Sequence, residues 1–147
     1  RLTNHLELLV VRKVFDKLTC MFRLDLGYLM SEYDELIQLD SELLNGYLDR
    51  LDVSLVRKMF DLYRQQVTIY LNDIESAMLS GNAQLWQEHC HKMKGAAASV
   101  GLISLHSRLK RMEKTTASDS DKVHQLAELK IHNKQAMADF KDWVGGI

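Results

Sequence analysis

The chain has 147 residues, 46% of them hydrophobic, and its 19 Lys and Arg against 20 Asp and Glu leave a formal net charge of -1. That length fits one domain with a substantial core, and the near-neutral balance gives no reason to expect nucleic acid or an acidic membrane as partner. The sequence contains no proline, which points to helices throughout, since proline usually punctuates turns and loops.

No apolar run approaches the ~20 residues of a membrane span, and no signal-peptide pattern is present. Cys20 and Cys90 fall on separate predicted helices with no paired framework and no metal-ligand spacing. We read this as a reducing, cytoplasmic setting. Arg1 reads as the start of a cut fragment.

In chain order, Asn4 with Glu7 makes a capping box, and Leu6, Leu9, Val10, Val14, Leu18, Met21 and Phe22 then follow helical spacing. A second segment, about 26–39, is apolar at Leu29, Tyr33, Leu36 and Ile37. The expected reading of residues 1–40 is an extra helical extension packed on the rest. A linker helix, a dimer surface and the tail of a preceding domain stay open. Ser41 to Leu51 reads as a short helix with Leu43, Leu44, Tyr47, Leu48 and Leu51 apolar.

Asp52 or Ser54 caps the next helix, a long one in which Val56, Phe60, Tyr63, Val67, Tyr70, Leu71, Ile74 and Met78 step by three and four. Gly81 ends it. A third helix is expected from about Asn82 to Ala98. Gly101 marks a tight turn, and Leu102, Leu105, Leu109 and Met112 outline a helix to about Lys114. Ala117 to Asp121 is small and polar, hence a loop. The last helix then runs from about Asp121 to Val144, with Val123, Leu126, Asn133, Met137, Phe140 and Val144 on its stripe. The fold class is therefore all-α, with the four longer helices of 41–147 forming an antiparallel bundle.

The helix from Asn82 carries the chemistry. Residues three and four apart share a face, so Gln84, Gln87, Glu88, His91, Lys94, Gly95 and Ala98 face one way. Leu85, Trp86, Met93, Ala97 and Val100 face the other. His91 thus points away from the apolar stripe, with a lysine one turn on and a glycine beside it. A neutral imidazole is a good nucleophile near pH 7. The ammonium of Lys94 can steady phosphoryl charge, and Gly95 removes a side chain where a second protein must come close. A solvated face carrying a histidine by chance is the bland alternative, and the full pattern speaks against it. His89 lies ~200° around the helix from His91, toward the edge of the buried side.

The run His91-Lys92-Met93-Lys94-Gly95-Ala96-Ala97, followed by Ser99-Val100-Gly101-Leu102, resembles the signature of histidine phosphotransfer (HPt) domains. That signature is a histidine, any residue, an aliphatic residue, lysine, glycine, small residues and a second glycine; methionine in the aliphatic place is a mild departure. The resemblance covers roughly 41–144 and is nearest to the HPt domains of hybrid sensor kinases for anaerobic respiration or trimethylamine N-oxide.

It implies a phosphocarrier, not an enzyme by itself, in a multistep phosphorelay. His91 would accept phosphate from a receiver-domain aspartate and pass it to a response regulator, with Lys94 stabilising charge and Gly95 admitting the partner. Gln84, Gln87, Glu88, Lys92 and Ala98 would be the surrounding partner-binding residues. It further implies no cofactor in this chain, Mg²⁺ supplied by the partner receiver, no small-molecule substrate, and a cytoplasmic domain of a parent kinase anchored in the bacterial inner membrane.

Other patterns point elsewhere with less force. Lys92, Lys94, Arg108, Lys110 and Arg111 make the region locally basic, which would steer docking on an acidic receiver pocket; an ordinary charged helix face fits the Arg108 to Arg111 part as well. Glu88 and His91 form a Glu-x-x-His pair, but a di-iron bundle needs a second such pair, and none is present, so no metal is expected. His5, His106, His124 and His132 are scattered and read as surface or boundary residues. No glycine-rich phosphate loop occurs. The competing function is a non-catalytic interaction or dimerisation bundle, which shares the stripes but needs no reactive histidine.

Overall fold

The computed structural model describes residues 39–146. The expectations for the N-terminal extension, its capping box and its apolar spacing included, lie outside the described residues. Five helices follow in order: α1, Ser41–Arg50; α2, Val53–Leu79; α3, Ala83–Ser99; α4, Ile103–Glu113; and α5, Asp119–Gly145. Among the described residues the fold is all-α, as the residue spacing predicts.

Capping side chains set the helix starts. Asp40, Asp52, Asn82 and Ser118 each accept a hydrogen bond from a backbone N–H in the first turn of the helix that follows, satisfying donors that have no partner within the helix. The Ser118 cap corrects one expectation. The connection before the last helix does not extend to Asp121; the helix begins at Asp119, whose charge, with that of Asp121, suits the positive end of a helix.

Four helices close into a ring. α2 packs on α3 and α5, and α4 packs on α3 and α5, while the short α1 lies against α2. The bundle core holds Phe60, Ile74, Trp86, Met93, Leu105, Leu109, Leu129 and Phe140. Phe60 and Phe140 stack with ring centroids 4.8 Å apart. Asn133, a polar residue on the α5 stripe, is buried because the Tyr63 hydroxyl donates to its Oδ1 at 2.8 Å. Burial also raises the Tyr63 phenol well above its usual range.

Leu51, expected on the apolar side of the first helix, is its exposed C-cap, and two apolar residues expected on the stripes of longer helices are outside as well. Leu85 is 38% exposed and Val123 54% exposed. Each sits within the first two turns of its helix and at the margin of its stripe. Trp86 fills the interior beside Leu85, and Lys122 and Leu126 do so beside Val123.

The α3–α4 turn is fixed by Gly101. Its φ of 72° lies in the left-handed region, and a Cβ there would sit 3.0 Å from Leu44 Cγ. α1 closes this end of the bundle. The Asp40 amide donates to the Gly101 carbonyl at 2.7 Å, and the Tyr47 hydroxyl donates to the Ser99 carbonyl at 2.9 Å. Gly81, with φ 66°, ends α2 as expected. The sharp Gly101 turn makes α3 and α4 antiparallel neighbours, and this pairing builds the site.

Candidate functional site

His91 projects from the middle of α3 with 67% of its side chain exposed. Gln84, Gln87, Glu88, Lys92, Gly95 and Ala98 are exposed as well, so the polar face read from the spacing is a real surface. A Cβ built on Gly95 would meet nothing within 4 Å. The absent side chain therefore leaves open space, and nothing inside the bundle requires glycine there. The buried side of α3 is Trp86, Cys90, Met93 and Ala97.

Glu113, the last residue of α4, reaches this face. Its Oε1 lies 2.7 Å from His91 Nδ1, and its Oε2 accepts a hydrogen bond from Lys94 Nζ. An ionised carboxylate can only accept, so Nδ1 carries the hydrogen and donates it. The neutral ring then bears its lone pair on Nε2, directed away from the carboxylate. The hydrogen bond made by one ring nitrogen thereby fixes the state of the other.

The clamp has an electrostatic cost within α4. A carboxylate at a helix C-terminus faces the negative end of the dipole, whereas Lys110 and Arg111 in the same turn suit it. Lys94 and His91 offset this from the neighbouring helix. The Lys94 hydrogen bond above all, with help from His91, holds the Glu113 carboxyl below the usual carboxylate range although burial pushes the other way. The pair is largely covered, Lys94 being 20% and Glu113 14% exposed. Lys94 is thus less solvent-facing than its helical phase predicts.

The second histidine is differently placed. His89 is half-buried on the α2 side, its Nδ1 4.0 Å from Asp73 Oδ2, too far for a hydrogen bond. His106 on α4 is also half-buried. Burial, then the charges of Lys94 and Lys110, lowers its pKa and favours the neutral ring. Beneath the site, Cys90 is fully buried, and burial followed by the nearby Glu113 charge pushes its thiol up to about 12.

The basic patch divides. Arg108 turns away from His91 and onto α5, donating to Glu128 at 2.8 Å and lying 2.9 Å from His132 Nε2. It therefore lines the α4–α5 groove, not the His91 face. The Glu-x-x-His pair divides too: the Glu88 carboxylate accepts from Gln84 at 3.3 Å, while His91 turns to Glu113. Among the described residues no group of three His, Cys, Asp or Glu side chains is close enough to hold a metal ion.

Glu113 is the site residue that sequence reasoning missed. Two signals pointed to it: an acid inside a basic C-terminal turn, and a position about as far after Gly101 as His91 is before it. In an antiparallel hairpin of helices such positions meet.

A family model described as Hpt domain matches residues 58–141. The chain belongs to the Hpt domain family. Its fold is similar to that of the histidine-containing phosphotransfer domain of ArcB from Escherichia coli, with a TM-score of 0.67 and 24% identity over 74% of this chain and 94% of that one. A search among curated proteins returned no match. As an Hpt domain the chain is a phosphocarrier with a histidine phosphotransfer role in a phosphorelay, in which such domains work with receiver domains and response regulators. No helix among the described residues is long and apolar enough to cross a membrane.

Proposed function

We propose that His91 is the phosphoacceptor, and that it takes phosphate from a receiver aspartate and hands it to a response regulator. One observation carries this reading: an exposed imidazole whose Nδ1 is held by a largely covered carboxylate, leaving Nε2 free on an open surface. In the forward step Nε2 attacks the phosphorus of the receiver's aspartyl phosphate. The N–P bond forms as the acyl P–O bond breaks, and the aspartate leaves as carboxylate. Nδ1 keeps its hydrogen, so the phosphorylated ring is cationic, and Glu113 faces that charge at hydrogen-bond range. For onward transfer a second aspartate attacks the phosphorus, and the N–P electron pair returns to Nε2.

The chain's own contribution is positioning and charge stabilisation, the main requirements of phosphoryl transfer. Lys94 has three donors; one goes to Glu113, and the others remain beside the incoming phosphoryl oxygens. Gly95 gives the partner backbone room. Gln84, Gln87, Glu88, Lys92 and Ala98 form the polar rim that the partner covers. Mg²⁺ belongs to the receiver's acidic pocket, and this chain needs no cofactor. We assign the chain to a hybrid sensor kinase anchored in the inner membrane, on the strength of its resemblance, over roughly 41–144, to the HPt domains of such kinases.

The test is transfer from a phosphorylated receiver domain to the purified chain. Acid-labile, base-stable label on the chain is expected in the presence of the receiver, and none with ATP and Mg²⁺ alone. Labelling by ATP alone contradicts the reading.

A further inference from the structure

Glu113 holds His91 from an awkward position, the final residue of α4. Helix ends fray, and the backbone bonds just beyond it are long: Lys114 N–H to Arg111 O at 3.2 Å and Thr115 N–H to Met112 O at 3.3 Å. Yet the carboxylate meets two side chains of α3 at once. A shorter bond lies next to it. The Trp86 indole N–H donates to the Met112 carbonyl at 2.9 Å, and both residues are buried. Met112 adjoins Glu113 in the chain. Trp86 stands on the same helix as His91, a little over one turn before it.

The indole itself is held in place. Trp86 is among the largest fully buried side chains. The ammonium of Lys122, a buried lysine in the first turns of α5, lies 5.5 Å from its ring centroid, within cation–π range. The acceptor is a carbonyl in the last turn of α4, whose backbone bond from Thr115 N–H, at 3.3 Å, is longer than the one from the indole.

We propose that Trp86 is a positioning residue for the phosphoacceptor: its indole N–H ties the last turn of α4 to α3 and so aims Glu113 at His91 Nδ1. One helix carries the anchor and the nucleophile; the other carries the carbonyl and the carboxylate. The bond therefore sets the α3–α4 spacing beside the residue where that spacing decides whether the clamp closes. Shape alone would be served by any ring of this size, but the N–H is needed for the tie.

The proposal rests on the His91 and Glu113 assignment above, and the experiment separates the two. Trp86→Phe keeps an aromatic ring and removes the N–H. A second variant carrying benzothienylalanine at position 86 keeps the bicyclic shape and also lacks the N–H, which guards against a simple packing defect. The readouts are the ¹⁵N signals of His91, which report which ring nitrogen bears hydrogen, and the rate of transfer from a phosphorylated receiver domain.

In both variants we expect the Nδ1–H form of His91 to lose its dominance and transfer to slow by about three- to tenfold, the scale of one buried hydrogen bond. Adding Glu113→Gln to either variant should slow transfer no further than Glu113→Gln alone, because both changes open the same clamp. Unchanged His91 signals and rate with benzothienylalanine overturn the proposal. So does a slowing that multiplies with that of Glu113→Gln, which marks an ordinary packing role. If Glu113→Gln alone leaves His91 and transfer untouched, the underlying site assignment fails, and the proposal fails with it.

Discussion

His91 Nδ1 and Glu113 Oε1 stand 2.7 Å apart across two helices joined at Gly101. This one hydrogen bond places the hydrogen on Nδ1 and the lone pair on Nε2, the nitrogen proposed as nucleophile, and the same carboxylate accepts from Lys94.

Replacing Glu113 by glutamine keeps the shape and removes the charge. The cationic phosphorylated ring then loses its counter-charge, and transfer to the chain is expected to fall about tenfold or more, the scale of a hydrogen bond to a charged group. Rapid-quench labelling from a phosphorylated receiver measures this; a wild-type rate rules out the proposed role of the carboxylate.

The same variant carries a pH signature. The folded Glu113 carboxyl titrates below its unfolded value, because of Lys94 first and His91 second. Its contribution to stability is therefore full above about pH 4.3, the ordinary glutamate value, and is lost as pH falls through the lowered folded value. Melting curves of wild type and Glu113→Gln should differ near neutrality and converge in acid. A gap that stays constant down to the lowest pH shows that ionised Glu113 is not the source.

Lys94 has a structural share that its helical phase alone does not reveal. Helical spacing predicts that Lys94→Ala slows transfer without moving the melting temperature. Pairing with a largely covered Glu113 alters that expectation. Removing one partner of this largely covered pair should cost about 1–2 kcal/mol, read as a lower melting midpoint together with slower transfer. Normal transfer would show that the ammonium does not act on phosphoryl charge.

The two glycines of the signature should respond in opposite ways. Gly101→Ala places a Cβ in a left-handed turn and against Leu44, and should destabilise by about 2–3 kcal/mol. Gly95→Leu meets open space and should raise helix stability by roughly 0.5–1 kcal/mol while blocking transfer. Denaturant melts and the receiver assay check both. Unimpaired transfer by the Gly95 variant would show that the partner does not approach there.

The fold was legible because its signals are local. The α2 stripe from Val56 to Ile74, the Gly81 and Gly101 turns and the outward phase of His91 follow from spacing that any short window contains. Leu85 and Val123 misled because hydrophobicity does not say which of two adjacent residues a short stripe margin buries; the larger Trp86 and the long-stemmed Lys122 took those places. Glu113 and the inward turn of Arg108 were out of reach of single-helix periodicity, since both depend on which residues of α3, α4 and α5 come level. The Lys94 pairing is hidden for the same reason: its partner lies across the hairpin.

The central claim is that His91 Nε2 carries the phosphate, and locating the label tests it most directly. The chain is phosphorylated by a receiver domain, held under alkaline conditions, and mapped by phosphopeptide analysis, with ¹⁵N–³¹P coupling to identify the ring nitrogen. The account predicts label on His91 alone, at Nε2, with none in His91→Gln and wild-type labelling in His89→Gln. Label on His89, or at Nδ1 of His91, contradicts it.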